Sequence, residues 1–110
     1  MPTEIVLLSD VVPTRELQYE IAARMFPGGA YAEFRGGEVA TFTDRERGVL
    51  TVHETKAVHE RADAVAALKN PPESFGLWTE MTIPYGDPSA GRALAEAIAD
   101  AVGGQIRERV

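Results

Sequence analysis

The chain has 110 residues, the length of one domain, and its 45% hydrophobic and 25% charged residues are the composition of a folded globular protein rather than a disordered one. It contains no cysteine, which excludes disulfides and thiolate metal sites. A formal net charge of −6 weighs against binding phosphate backbones and suits a basic protein partner.

The opening MPTEIVLLSDVVP has a short apolar run without a basic flank, so no signal peptide is expected. No segment approaches the roughly 20 apolar residues of a membrane span, and a soluble, cytoplasmic protein is expected. Within the opening, Thr3 to Ser9 is a continuous β-branched run that predicts a buried central strand. Thr14 is a good helix cap, with Glu16 in the first turn and Leu17, Ile21 and Met25 on one helical face. Pro27, Gly28 and Gly29 stop that helix.

AYAEFR and EVATFT then alternate around Gly36-Gly37 and predict a hairpin. Asp44 to Gly48 is a polar turn, and VLTVHE is a third strand of the same meander. Thr55 is the predicted cap of a second helix with Val58, Ala62, Val65 and Leu68 on its face. NPPESFG is a loop, because its two prolines cannot continue a helix. LWTEMTI alternates as a half-buried strand. Asp87 or Ser89 caps the last helix, with Pro88 suited to its first position. The helix presents Leu94, Ala97, Ile98, Ala101 and Val102, ends at Gly103-Gly104, and leads into a final strand, QIRERV.

The predicted order is β-α-β-β-β-α-β-α-β in a single domain over residues 1–110. It reads as an α+β fold, a two-layer sandwich related to the ferredoxin-like type: a mainly antiparallel sheet with its helices on one face.

TVHETKAVHE places His53-Glu54 and His59-Glu60 close together, as a metal site would. Their spacing argues against one. On a continuous helix, six residues leave the two rings about 120° apart; on a continuous strand they lie roughly 20 Å apart. Only a break between them, which the reading places near Thr55, could converge them. No third ligand has recognisable spacing, and no metal or cofactor is expected.

A binding platform is the stronger expectation. In LWTEMTI, Leu77, Met81 and Ile83 oppose Trp78, Glu80 and Thr82. In VLTVHE, Leu50 and Val52 oppose Thr51 and His53; in AYAEFR, Ala32 and Phe34 oppose Tyr31, Glu33 and Arg35. The polar sets are expected on one open face, with Trp78 and Tyr31 as anchors beside Glu80, Glu33 and His53. The plainer reading is a solvated sheet face with Trp78 under the NPPESFG loop. Glu80 lies beside Trp78 as a candidate acid, but the sequence identifies no partner base. Asp10 and Asp87, each between a strand and a helix, read as caps. No P-loop, nucleophile elbow or aromatic RNA-binding motif is present.

MPTEIVLLSD followed by a helix resembles the start of the tautomerase superfamily. That likeness implies Pro2 as a catalytic base once Met1 is removed; the three-strand meander departs from the pattern. Over the whole chain, SDVVPTRE, LWTEMTIP and RALAEAIADAVGG resemble small actinobacterial α+β proteins, some encoded beside secretion or toxin genes. That likeness implies an immunity-type inhibitor. The expectation is therefore a small, acidic, non-enzymatic module that binds a protein partner or a second copy of itself, but neither nucleic acid nor membrane. The alternative is a small cofactor-free enzyme with Glu80 or His53 as its acid/base.

Overall fold

The computed structural model describes residues 2–72 and 75–109. Within the NPPESFG loop, Glu73 and Ser74 lie outside them, as does Val110 of the predicted last strand. The elements are β1 (Thr3–Ser9), α1 (Arg15–Met25), β2 (Gly29–Phe34), a single 3-10 turn (Arg35–Gly37), β3 (Val39–Asp44), β4 (Arg47–Ala57), α2 (Arg61–Ala66), β5 (Leu77–Ile83), α3 (Ser89–Ala101) and β6 (Gln105–Glu108). The six strands form one sheet in the order β2-β3-β4-β5-β1-β6, and every neighbouring pair is antiparallel.

Local chemistry sets the helix ends. The Thr14 hydroxyl accepts the Leu17 N–H at 3.2 Å and starts α1. Asp87 accepts both the N–H and the hydroxyl of Ser89, at 3.0 and 2.7 Å, at the start of α3. These bonds hold the Asp87 carboxyl below its usual pKa. Gly103, with φ of 65°, ends α3, and the Gly104 N–H reaches back to the Ala99 carbonyl at 2.8 Å. Asp10 does not cap α1. It accepts the Gly76 N–H at 3.0 Å and ties the β1–α1 loop to the entry of β5.

One face of the sheet carries the main core. Ile5, Leu7, Phe42, Leu50, Val52, Met81 and Ile83 meet Ile21 of α1 and Leu94 and Ile98 of α3. Each fully buried aliphatic side chain here contributes roughly 1.5–3 kcal/mol. β1 has neighbours on both sides and is buried on both faces, which is why its apolar run is unbroken: Val6 and Leu8 point away from α1 and α3 and meet Leu68, Phe75 and Trp78. The expectation of helices on one face therefore holds for α1 and α3. The opposite face is covered at its β1 end by Leu68, two residues past α2, and by the loop leading into β5.

Two further expectations are corrected. Thr55 caps no helix, because β4 continues to Ala57 and pairs Thr55, Lys56 and Ala57 with Thr79, Trp78 and Leu77. Those ladder bonds satisfy backbone groups that a cap would have left to a side chain. α2 is correspondingly short, and Val58 lies outside it, donating its N–H to the Gly76 carbonyl. The Arg45-Glu46 turn between β3 and β4 puts both residues at positive φ, 51° and 69°, without a glycine.

Candidate binding face

β5 alternates as its composition demands. Thr79, Met81 and Ile83 are buried toward α1 and α3, while Trp78, Glu80 and Thr82 face the other way and stay half-exposed. β4 runs beside it with an extra residue. Val52 pairs with Met81, yet the next pair is Thr55 with Thr79, so His53 and Glu54 together oppose Glu80. The bulge changes the parity of β4 and turns Thr55 toward the core side, where its hydroxyl meets that of fully buried Thr79 at 2.7 Å. It also gathers an imidazole and two carboxylates at one place on the sheet.

Around them lies a depression of about 320 Å³, lined by Val39, His53, Glu54, Lys56, Trp78 and Glu80 together with Arg35 and Glu38. His53 Nε2 is 3.5 Å from the Thr82 hydroxyl. Arg109 donates to the Glu80 carboxylate at 2.9 Å, so this acid is already paired. Trp78 sits at the boundary between this polar hollow and the apolar cluster of Val6, Leu8 and Leu68. Beside the hollow the face carries threonines: the hydroxyls of Thr41 and Thr51 are 3.3 Å apart, and Thr51 pairs with Thr82.

A second depression of about 320 Å³ shares His53, Glu54 and Glu38 with the first and opens toward the start of α1. Arg15 lines it with each of its three guanidinium nitrogens bonded. Its guanidinium donates to the carbonyls of Gly37, Glu38 and Val52 at 3.1, 2.6 and 3.2 Å and to Gln18 Oε1 at 2.8 Å. Burial lowers the Arg15 pKa, and Glu33 and Glu54 oppose that shift. Gln18 is buried and donates to the Pro13 carbonyl at 2.6 Å. Arg15 and Gln18 thus fix the start of α1 against β4 and the β2–β3 turn.

The expected platform is only partly assembled. Trp78, Glu80 and His53 share one face and one depression. Tyr31 and Glu33 do not join them. Tyr31 pairs with core residue Phe42, and paired residues share a face. Its ring lies 4.5 Å from that of Tyr19 on α1 and 5.9 Å from that of Phe42, in a separate cleft of about 410 Å³ between α1 and β2. Glu33 pairs with buried Ala40 and lies on the same side as Tyr31. Apolarity marked Ala32 and Phe34 as the inner set, but Phe34 is 55% exposed on the outer face. Pro2 is exposed ahead of β1 and lines none of these three depressions.

His53 and His59 are divided by the end of β4 at Ala57, and only His53 reaches the depressions. Sequence reasoning missed the contributions of Glu54, Lys56 and Arg15. The bulge that presents Glu54 has no local signature, and the Arg15 carbonyl partners lie 22 to 37 residues away. The chain matches no protein-family model, no curated protein and no solved structure.

Proposed function

We propose that the chain is a small, non-enzymatic binding module that docks a protein partner on the sheet face beside Trp78. One observation carries this reading: Trp78 is already packed on Val6, Leu8 and Leu68, while it also lines the hollow that holds His53, Glu54 and Glu80. A tryptophan fixed in this way offers a large contact area with little ordering left to do on binding. The carboxylates around it, exposed Glu54 and the Arg109-paired Glu80, suit basic groups on the partner, and the net charge of −6 steers such a partner toward the chain.

The element order supports a ferredoxin-like relation. β1-α1-β4-β5-α3-β6 follows the β-α-β-β-α-β pattern, with the β2–β3 hairpin inserted after α1 and α2 inserted before β5. Inhibition of a toxin, the immunity-type role implied by the resemblance over the whole chain, is the specific form of binding we favour. A cofactor-free enzyme is the second reading, favoured by His53 and Glu80 lining one depression.

The test is affinity capture from the native organism across low and moderate salt, followed by titration of the captured protein. Trp78 is the only tryptophan, so its emission reports contact at this face if the partner's own signal is subtracted. A partner that is captured and shifts this emission supports the reading. Capture of no stable partner at any salt, or of one that leaves Trp78 emission unchanged, overturns it.

A further inference from the structure

The two edges of the sheet are treated differently. β6 has four residues, and the segment after α2 covers its outer side: Leu68 bridges Arg109, and the Lys69 N–H donates to the Glu108 carbonyl at 3.0 Å. β2 has six residues and, among the described residues, pairs only with β3. Every residue of β2 is exposed, including Tyr31 at 39% and Phe34 at 55%. It lacks several devices that keep edges apart: GAYAEF has no proline and no lysine, and its pairing with β3 runs without a register break; Glu33, on the α1 side, is its one charge.

We propose that β2 is a self-association edge, at which two copies of the chain pair antiparallel about a two-fold axis at Ala32 and join their sheets into one. The occupant follows from the strand itself. A two-fold normal to the sheet keeps each face on its own side, so directly opposed residues must come from the same face. Centring on Glu33 would oppose two carboxylates, which is destabilising. Centring on Ala32 sets Tyr31 opposite Glu33 of the second copy, a phenol donor against a carboxylate acceptor. It also sets Phe34 opposite Ala30. The strand carries one charged side chain, Glu33, and Arg35 of opposite sign follows it in the turn, so the edge adds little to the repulsion set by a total charge of −6. Exposed Tyr19 on α1, against Tyr31, adds apolar surface beside the seam. This pairing is independent of the face beside Trp78.

Single cysteines test it, because the chain has none of its own. At the dyad, Ala32→Cys meets its own mate at a Cα separation of about 4.5–5.5 Å, within disulfide reach. Phe34→Cys lies roughly 14 Å from its mate and cannot bridge. Sedimentation should show a dimer for the unmodified chain, and mild oxidation should cross-link Ala32→Cys but not Phe34→Cys. Ala32→Arg, at an exposed position, should weaken the dimer by on the order of tenfold with an unchanged circular dichroism spectrum. A chain that sediments as a monomer at every concentration, leaving the edge for an extended segment of another protein, overturns the proposal. So does equal cross-linking of the two cysteine variants.

Discussion

The hydroxyls of Thr55 and Thr79 meet at 2.7 Å on the core side of the sheet, and this contact secures the bulge that presents His53 and Glu54 opposite Glu80. Removing one partner leaves the other hydroxyl without its bond. Thr55→Val, which leaves the fully buried Thr79 hydroxyl without its bond, should therefore cost about 1–3 kcal/mol, measured by urea unfolding. The double variant with Thr79→Val should recover most of that loss, because two apolar groups of similar shape need no bond. A double variant no better than the single would show that the pair does not secure the bulge.

At Gly91, α3 packs tightly on the sheet: a Cβ there would lie 2.5 Å from the Val49 carbonyl and 2.9 Å from the Ile83 side chain. Glycine to alanine inside a helix ordinarily stabilises. Here the sign should reverse, and Gly91→Ala should destabilise by about 1–3 kcal/mol. A rise in the melting temperature would mean that α3 sits farther from β4.

β1 and α3 were legible in the sequence because each meets one strong local rule: an unbroken β-branched run for a strand buried on both faces, and a capped, amphipathic run for a helix. The side to which Trp78 turns was legible for the same reason, since Met81 and Ile83 could not both face water. Tyr31 was not legible. An edge strand is exposed on both faces, so apolarity no longer marks the core side, and only its pairing with Phe42 settles the matter. The extra residue at His53-Glu54 was equally hidden. It arises from pairing β4 with a strand more than 20 residues away, which also carries β4 past the expected cap at Thr55.

Arg92 donates to the Glu108 carboxylate at 2.7 Å, and its hydrogen bond and charge, with Lys69 adding, hold the Glu108 pKa below the ordinary glutamate range. A depressed carboxylate pKa stabilises the fold fully above the unfolded-state pKa, and that contribution is lost as pH falls through the folded-state pKa. Glu108→Gln should therefore lower the melting temperature at neutral pH, with the difference from the unmodified chain closing in acid. A difference that does not change with pH would mean that packing, not charge, is what the variant removes.

Zinc and chelators should leave the melting temperature unchanged, because the end of β4 separates His53 from His59. A reproducible zinc-dependent rise of several degrees would contradict this placement.

The most direct measurement of the binding reading is calorimetry of the captured partner against Trp78→Ala, paired with circular dichroism. Trp78 is held from behind by Val6, Leu8 and Leu68 and exposed toward the hollow, so its truncation should remove contact with the partner while the strand register survives. The account predicts a native spectrum with affinity reduced by about 2 kcal/mol or more, roughly 30-fold. A folded variant that binds as tightly as the unmodified chain would contradict it and leave this face a solvated side of the sheet.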